Sequence, residues 1–220
     1  MTSTDYRRML RGRRCYVGMD LSTTTDLTAL AAVFPDGDGG YDVLCRCFVP
    51  KLNIAERVRR DGVPYEELVR RGHLTATPGN WVDYEAVRQL LKDWAAEFQL
   101  REIAFDPWNA TDLVTRLTEM DGFVCVPMRQ GFNSLSAPTK SLEKLVLSKQ
   151  LRHDGDPVLR WCIGNVCIER DAAGNMKPSK KVSTERIDAA VALIMAIDRA
   201  EHNAAFKPPS YSLTVLGGRR

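Results

Sequence analysis

Three aspartates stand where a lone carboxylate is unfavourable: Asp20, Asp106 and Asp188. Asp20 closes the alternating run Cys15-Tyr16-Val17-Gly18-Met19, which has strand periodicity. Asp106 follows the apolar Ile103-Ala104-Phe105 and precedes Pro107, and Asp188 sits inside the apolar helical run Ile187 to Ile197. A carboxylate removed from water must be paired or must hold a metal. Magnesium and manganese prefer such hard oxygen donors to sulfur or imidazole. If the three aspartates converge, they suit two ions about 4 Å apart, which together activate water and stabilise the leaving oxygen of a phosphodiester. Each acid also has a plainer role open to it. Asp20 can cap the Ser22–Thr25 turn, Asp106 can be a turn residue, and Asp188 can be a first-turn helix acid favoured by the dipole.

Other residues with chemistry lie close by in sequence. Asp26 is a candidate auxiliary ligand or a turn acid, and Asn109 is placed to orient Asp106 or to cap the next helix. Lys177, Lys180, Lys181 and Arg186 precede the Asp188 helix and are the basic cluster best suited to DNA phosphates. The competing views are that the lysines are a solvated loop or that one of them supports Asp188 directly. Trp108 is a candidate for base stacking or for packing. His153, in a D-G-D-P setting, reads as a turn residue.

The elements that must position these groups follow from pattern and punctuation. Residues 1–13 are polar and basic and read as an arm or linker. Residues 14–34 form a strand pair ending at a Pro-Asp-Gly-Asp-Gly-Gly turn, and Tyr41 to Val49 adds a third strand to an antiparallel meander. Residues 52–60 and 64–72 look helical. Leu74–Thr77 is a short extended piece, and Asp83 caps a helix running to about Phe98. A strand at 102–105, a helix at 110–120 and a strand at 123–127 imply parallel pairing with helices over the sheet. Residues 128–140 read as a loop and 139–150 as a helix. Residues 157–182 read as a strand, a turn and a basic loop, and Ser183 or Thr184 caps a final helix to about Ala200. The expected domain spans 14–203, followed by a loose tail at 204–220.

The totals describe an ordinary globular chain of 220 residues with 44% hydrophobic and 27% charged residues. The net charge of +3 is mild, but basic residues cluster at Arg7–Arg14, Arg57–Arg60 and Lys177–Lys181. No apolar run approaches a membrane span, and the N-terminus lacks a signal-peptide core. The expectation is a cytoplasmic protein with no membrane partner. The six cysteines form no C-x-x-C pair and read as reduced core residues rather than as a zinc site.

This element order matches an α/β ribonuclease H-like fold. In that fold a mixed sheet of five or more strands, the first three antiparallel, is flanked by helices on both faces. The segments GMDLSTTTDLTAL, AFDPWNA, SLSAPTKSLEKLV, LRHDGDPVLRW, GNMKPSKK and RIDAAVALIMA, in that order, resemble the nuclease domain of the large terminase subunit of tailed double-stranded DNA phages. The resemblance covers roughly residues 14–200. It implies a Mg²⁺- or Mn²⁺-dependent endonuclease that cuts concatemeric DNA during packaging, with Asp20, Asp106 and Asp188 holding two ions. It also implies double-stranded DNA, a portal protein and a small terminase subunit as partners. The setting would be the cytoplasm of the infected bacterium, with the protein absent from the mature virion. No G-x-x-x-x-G-K-[ST] occurs in the sequence, so the expectation is a carboxy-terminal half without the ATPase motor domain. Three other readings stay open: a resolvase or transposase of the same fold, an actin-like ATP-binding protein built on Asp20-Leu21-Ser22-Thr23-Thr24, and a non-catalytic portal-docking module.

Overall fold

The computed structural model describes residues 3–22, 26–108, 110–183 and 185–205. Helix α1 (Ser3–Met9) leads into β1 (Arg14–Asp20), β2 (Thr28–Pro35) and β3 (Tyr41–Pro50). These three strands form the expected antiparallel meander. Next come α2 (Ile54–Asp61), α3 (Tyr65–Arg70), β4 (Leu74–Thr77) and α4 (Tyr84–Glu97). The Asp83 side chain caps α4 by accepting from the Glu85 amide at 2.9 Å. Strand β5 (Gln99–Phe105), α5 (Thr111–Glu119) and β6 (Cys125–Pro127) supply the parallel part of the sheet. The chain continues through α6 (Phe132–Leu147), β7 (Leu151–His153), α7 (Pro157–Gly164), the hairpin β8 (Ile168–Arg170) and β9 (Met176–Pro178), and α8 (Asp188–Ala205).

The main sheet has seven strands in the order β4-β3-β2-β1-β5-β6, with β7 also pairing with β3. Helices cover both faces. Cys15, Val17 and Met19 of β1 face α1, α4 and α5, packing among Tyr6, Leu10, Leu91, Trp94, Leu113 and Leu117. The other face carries α8, with Leu193, Ile194 and Ile197 among the buried residues there. Strand β1 is therefore buried on both sides, and only Arg14 is exposed. Its apolar/polar alternation records two different buried faces rather than one wet face. No described helix is long and apolar enough to cross a membrane.

Four local expectations need correction. Residues 3–9, read as part of a basic arm, are helical because Tyr6 and Leu10 are buried. The Tyr6 hydroxyl lies 3.0 Å from Asp42 Oδ1, and the Arg7 guanidinium grips Glu97 at 3.0 and 2.9 Å. The expected loop at 128–140 is largely the start of α6. Pro138 lies inside that helix and removes a backbone donor, but Leu135, Thr139, Leu142 and Leu145 bury one continuous face, which outweighs the lost bond. Residues 157–164 are a helix rather than a strand: Asp156 caps it onto the Leu159 amide at 2.8 Å and Pro157 takes the first turn. The last helix begins at Asp188, and the Ser183 hydroxyl instead accepts from the Cys167 amide at 3.1 Å. Thr184 and residues 206–220, most of the expected tail, lie outside the described residues.

Candidate active site

The site is built where α8 crosses β1. A Cβ on Gly18 would stand 1.9 Å from the carbonyl oxygen of Ala192, so only glycine permits this approach. Asp20 lies two residues beyond Gly18 on the same strand face, roughly 6.7 Å away along the strand. Asp188 lies four residues before Ala192 on the same helix face, about 6 Å away along the axis. The two intervals nearly match, so the strand–helix contact delivers both carboxylates side by side. They are 3% and 1% exposed respectively.

Each carboxylate is held by identifiable donors. Gln130 Nε2 donates to Asp20 Oδ1 at 2.8 Å, and the Leu27 amide donates to Asp188 Oδ2 at 3.4 Å. The two remaining oxygens converge on one cation. Lys180 Nζ lies 2.7 Å from Asp20 Oδ2 and 2.8 Å from Asp188 Oδ1. Burial pushes Asp188 up to about 6, because the pull of Lys180 only partly offsets desolvation and the field of Asp20 adds to it. Burial disfavours the charge on Lys180, but the two aspartates outweigh it and hold the ammonium's pKa above its ordinary value.

Asp106 arrives from the neighbouring strand. In the parallel β1–β5 ladder Met19 stands opposite Phe105, so Asp20 and Asp106 occupy adjacent strand ends. Asp106 is half-buried, and its Oδ1 accepts from the Trp108 amide at 3.1 Å. Among the described residues, no three His, Cys, Asp or Glu side chains form a set that could hold a metal ion as they stand. Asp20 and Asp188 are thus already together on a cation, while Asp106 is tied to its own turn. All three offer hard oxygens, and two buried oxygens already converge on a positive charge. This donor set fits a divalent ion of the magnesium or manganese type.

The basic cluster is divided among several roles. Arg186 pairs with Asp26 and lies 3.6 Å from Asp61, so Asp26 is neutralised by arginine. Asp26, Arg60, Asp61, Glu185, Arg186 and Asp188 line a polar cleft of about 240 Å³. Lys177 pairs with Glu169 at 3.6 Å and sits 5.1 Å from the centre of the Phe132 ring. Lys181 is exposed. Asn109 lies outside the described residues. Trp108 is 78% exposed and so does not pack in the core. His153 Nδ1 accepts from the Gly155 amide at 3.0 Å, a turn role. All six cysteines are free, and Cys15, Cys45, Cys47 and Cys162 are buried.

The sequence does not single out Gln130, which lies in what reads as a loop. It puts Lys180 first with the DNA-facing cluster, with support of Asp188 by one of those lysines as the competing view, and the structure brings Lys180 to Asp188. The available signal for Gln130 was its place just before Gly131, the cap of α6. The signal for Lys180 was two buried acids with no other cation assigned to them.

Residues 3–204 match the family model described as terminase large subunit, endonuclease domain. The chain is 37% identical over 190 residues to the terminase large subunit of Enterobacteria phage HK97, covering 86% of this chain and 38% of that protein. It is 33% identical over 200 residues to protein YmfN of Escherichia coli (strain K12), covering 86% of this chain and 44% of that protein. The crystal structure of the HK97 large terminase superposes with a TM-score of 0.79 at 34% identity, covering 90% of this chain and 43% of that one. The large terminase nuclease of thermophilic phage G20c, crystallised with bound magnesium, superposes with a TM-score of 0.55 at 13% identity, covering 90% and 97%. At that identity the G20c likeness concerns the fold alone. The ribonuclease H-like α/β fold expected from the element order is the fold of these nucleases. The chain spans less than half the length of the curated relatives it matches.

Proposed function

This chain belongs to the terminase large subunit, endonuclease domain family, and from that premise we propose that it hydrolyses phosphodiester bonds of double-stranded viral DNA during genome packaging. The carrying observation is the pairing of buried Asp20 and Asp188 on one cation, with Asp106 at the adjacent strand end. Asp20, Asp106 and Asp188 would hold two magnesium or manganese ions. When bound, such ions supply an activated water and neutralise the charge that develops on the leaving oxygen. The magnesium bound by the G20c nuclease supports the choice of metal at the level of the shared fold.

The chain's own residues supply the positioning. Gln130 fixes the Asp20 carboxylate and the Leu27 amide fixes that of Asp188, so neither acid needs to reorganise its held oxygen. Exposed Lys181, next to Lys180 in sequence, would meet a DNA phosphate without reading bases. We assign the remaining steps of packaging to partners: a portal protein and a small terminase subunit, in the cytoplasm of the infected host. The family match sets aside the transposase and actin-like readings.

The test is cleavage of plasmid DNA by the purified chain with Mg²⁺ or Mn²⁺, against EDTA and against Asp20→Ala. Nicking and linearisation should require the metal and vanish in the variant. Cleavage that persists in EDTA would refute metal-assisted hydrolysis, and a chain that never cuts would favour a docking role.

A further inference from the structure

The cation between Asp20 and Asp188 belongs to the protein itself. We propose that Lys180 is an internal competitor for the metal: its ammonium bridges one oxygen of each acid and must leave them for a divalent ion to load. This rests on the metal reading above and adds the exchange that loading requires.

Four observations support it. Lys180 Nζ lies 2.7 and 2.8 Å from one oxygen of each acid, and neither oxygen has a hydrogen-bond partner apart from it among the described residues. A divalent ion bridging the two acids would take those same oxygens, at about 2.0–2.1 Å for magnesium, and an ammonium held on the same pair would repel it. The placement is built by the fold. Lys180 follows β9 in a tight turn in which the amides of Val182 and Ser183 both donate to the Ser179 carbonyl, and the Ser179 amide is tied to the Cys167 carbonyl at 3.0 Å. Ser179 is buried, so the turn is anchored. Finally, the Lys180 side chain keeps 37% exposure and has four flexible carbons, which gives the ammonium a path out to water.

The charge arithmetic explains why such a device is useful. Two buried carboxylates alone would repel each other and pay full desolvation. One lysine offsets half of that charge and keeps the pair assembled. A divalent ion supplies the full balance and displaces it. Lys180 thereby lowers apparent metal affinity while stabilising the metal-free protein.

Calorimetric titration with MnCl₂ compares wild type with Lys180→Met, which keeps length and removes charge. The variant should bind Mn²⁺ at least tenfold more tightly. Its metal-free Tm should fall, and its Tm should rise more on metal addition than that of wild type. Equal or weaker binding by the variant overturns the proposal. A measurement on wild type guards against misfolding of the variant. Amine acylation read by mass spectrometry should modify Lys180 slowly without metal and several-fold faster with saturating MnCl₂, with Lys181 as the unchanged internal reference. Lys180 labelling that ignores metal also overturns the proposal. If manganese binds and Lys180 does not respond, only this inference fails. If neither form binds manganese, the metal reading fails with it.

Discussion

Gly18 and Ala192 touch backbone to backbone: the Cβ that Gly18 lacks would lie 1.9 Å from the Ala192 carbonyl oxygen. That contact sets the spacing between β1 and α8, and with it the meeting of Asp20 and Asp188. Gly18→Ala must push the helix away from the strand. Overpacking of this kind costs about 1–3 kcal/mol, and more where backbone must move. Urea unfolding should show the lower midpoint, and DNA cleavage should be lost even at temperatures where the variant stays folded. Retention of both wild-type values would mean that the contact does not position the site.

Asp20→Asn, Asp106→Asn and Asp188→Asn should each abolish cleavage and leave circular dichroism unchanged. Lys180 already offsets the repulsion between Asp20 and Asp188, so removing either charge should shift metal-free stability little. A variant that cuts at the wild-type rate removes its residue from the centre.

Gln130 acts through Asp20, to which it donates at 2.8 Å. Loss of such a supporting contact typically costs 10–100-fold in metal affinity or activity. Gln130→Ala should weaken Mn²⁺ binding in calorimetry and slow cleavage by about that factor, whereas Gln130→Asn should recover part of both. Unaltered Mn²⁺ affinity would leave Gln130 a purely structural residue.

Asp61 provides a pH signature of the cleft wall. Burial raises its pKa, but hydrogen bonds from Arg60 and Tyr65 and the field of Arg186 outweigh this and lower it to about 2. A carboxylate depressed on folding stabilises the native state above its unfolded pKa of about 3.9, and that contribution is lost as pH falls toward 2. The contribution is at most about 3 kcal/mol. Asp61→Asn should lower unfolding free energy at neutral pH and flatten its slope between about pH 4 and 2. An unchanged slope would assign acid unfolding to other carboxylates.

Lys181 is exposed, while Lys177 and Arg186 are ion-paired and Lys180 is engaged by the acids. Lys181→Ala should therefore flatten the dependence of log DNA affinity on log salt by about 0.9, the value of one phosphate contact. The loss should be similar on unrelated sequences. A salt slope equal to that of wild type would place DNA elsewhere on the surface.

The amino-acid sequence determined much of this architecture by itself. Strand alternation from Cys15 to Asp20 and the Asp83 cap are local signals that formed as read, and the apolar run after Asp188 is helical although its start lies later than the Ser183–Thr184 signal implied. The burial of Asp20 and Asp188 was legible because each stands in or beside an apolar run, where a lone carboxylate is costly, and both are buried; Asp106 is half-buried in its own turn. Elements whose stability is not local were misread. Tyr6 and Leu10 turn a basic stretch into a packed helix, and α6 runs through Pro138 because its buried face outweighs the missing bond. Only the tertiary structure decided how charge is allocated. Lys180, Arg186 and Gln130 each find a carboxylate more than 100 residues away along the chain. Such pairings depend on distances that chain closure sets, and Coulomb energy falls with distance in space rather than in sequence. The same four cations therefore read as one DNA-binding cluster along the chain and as four different groups once it is folded.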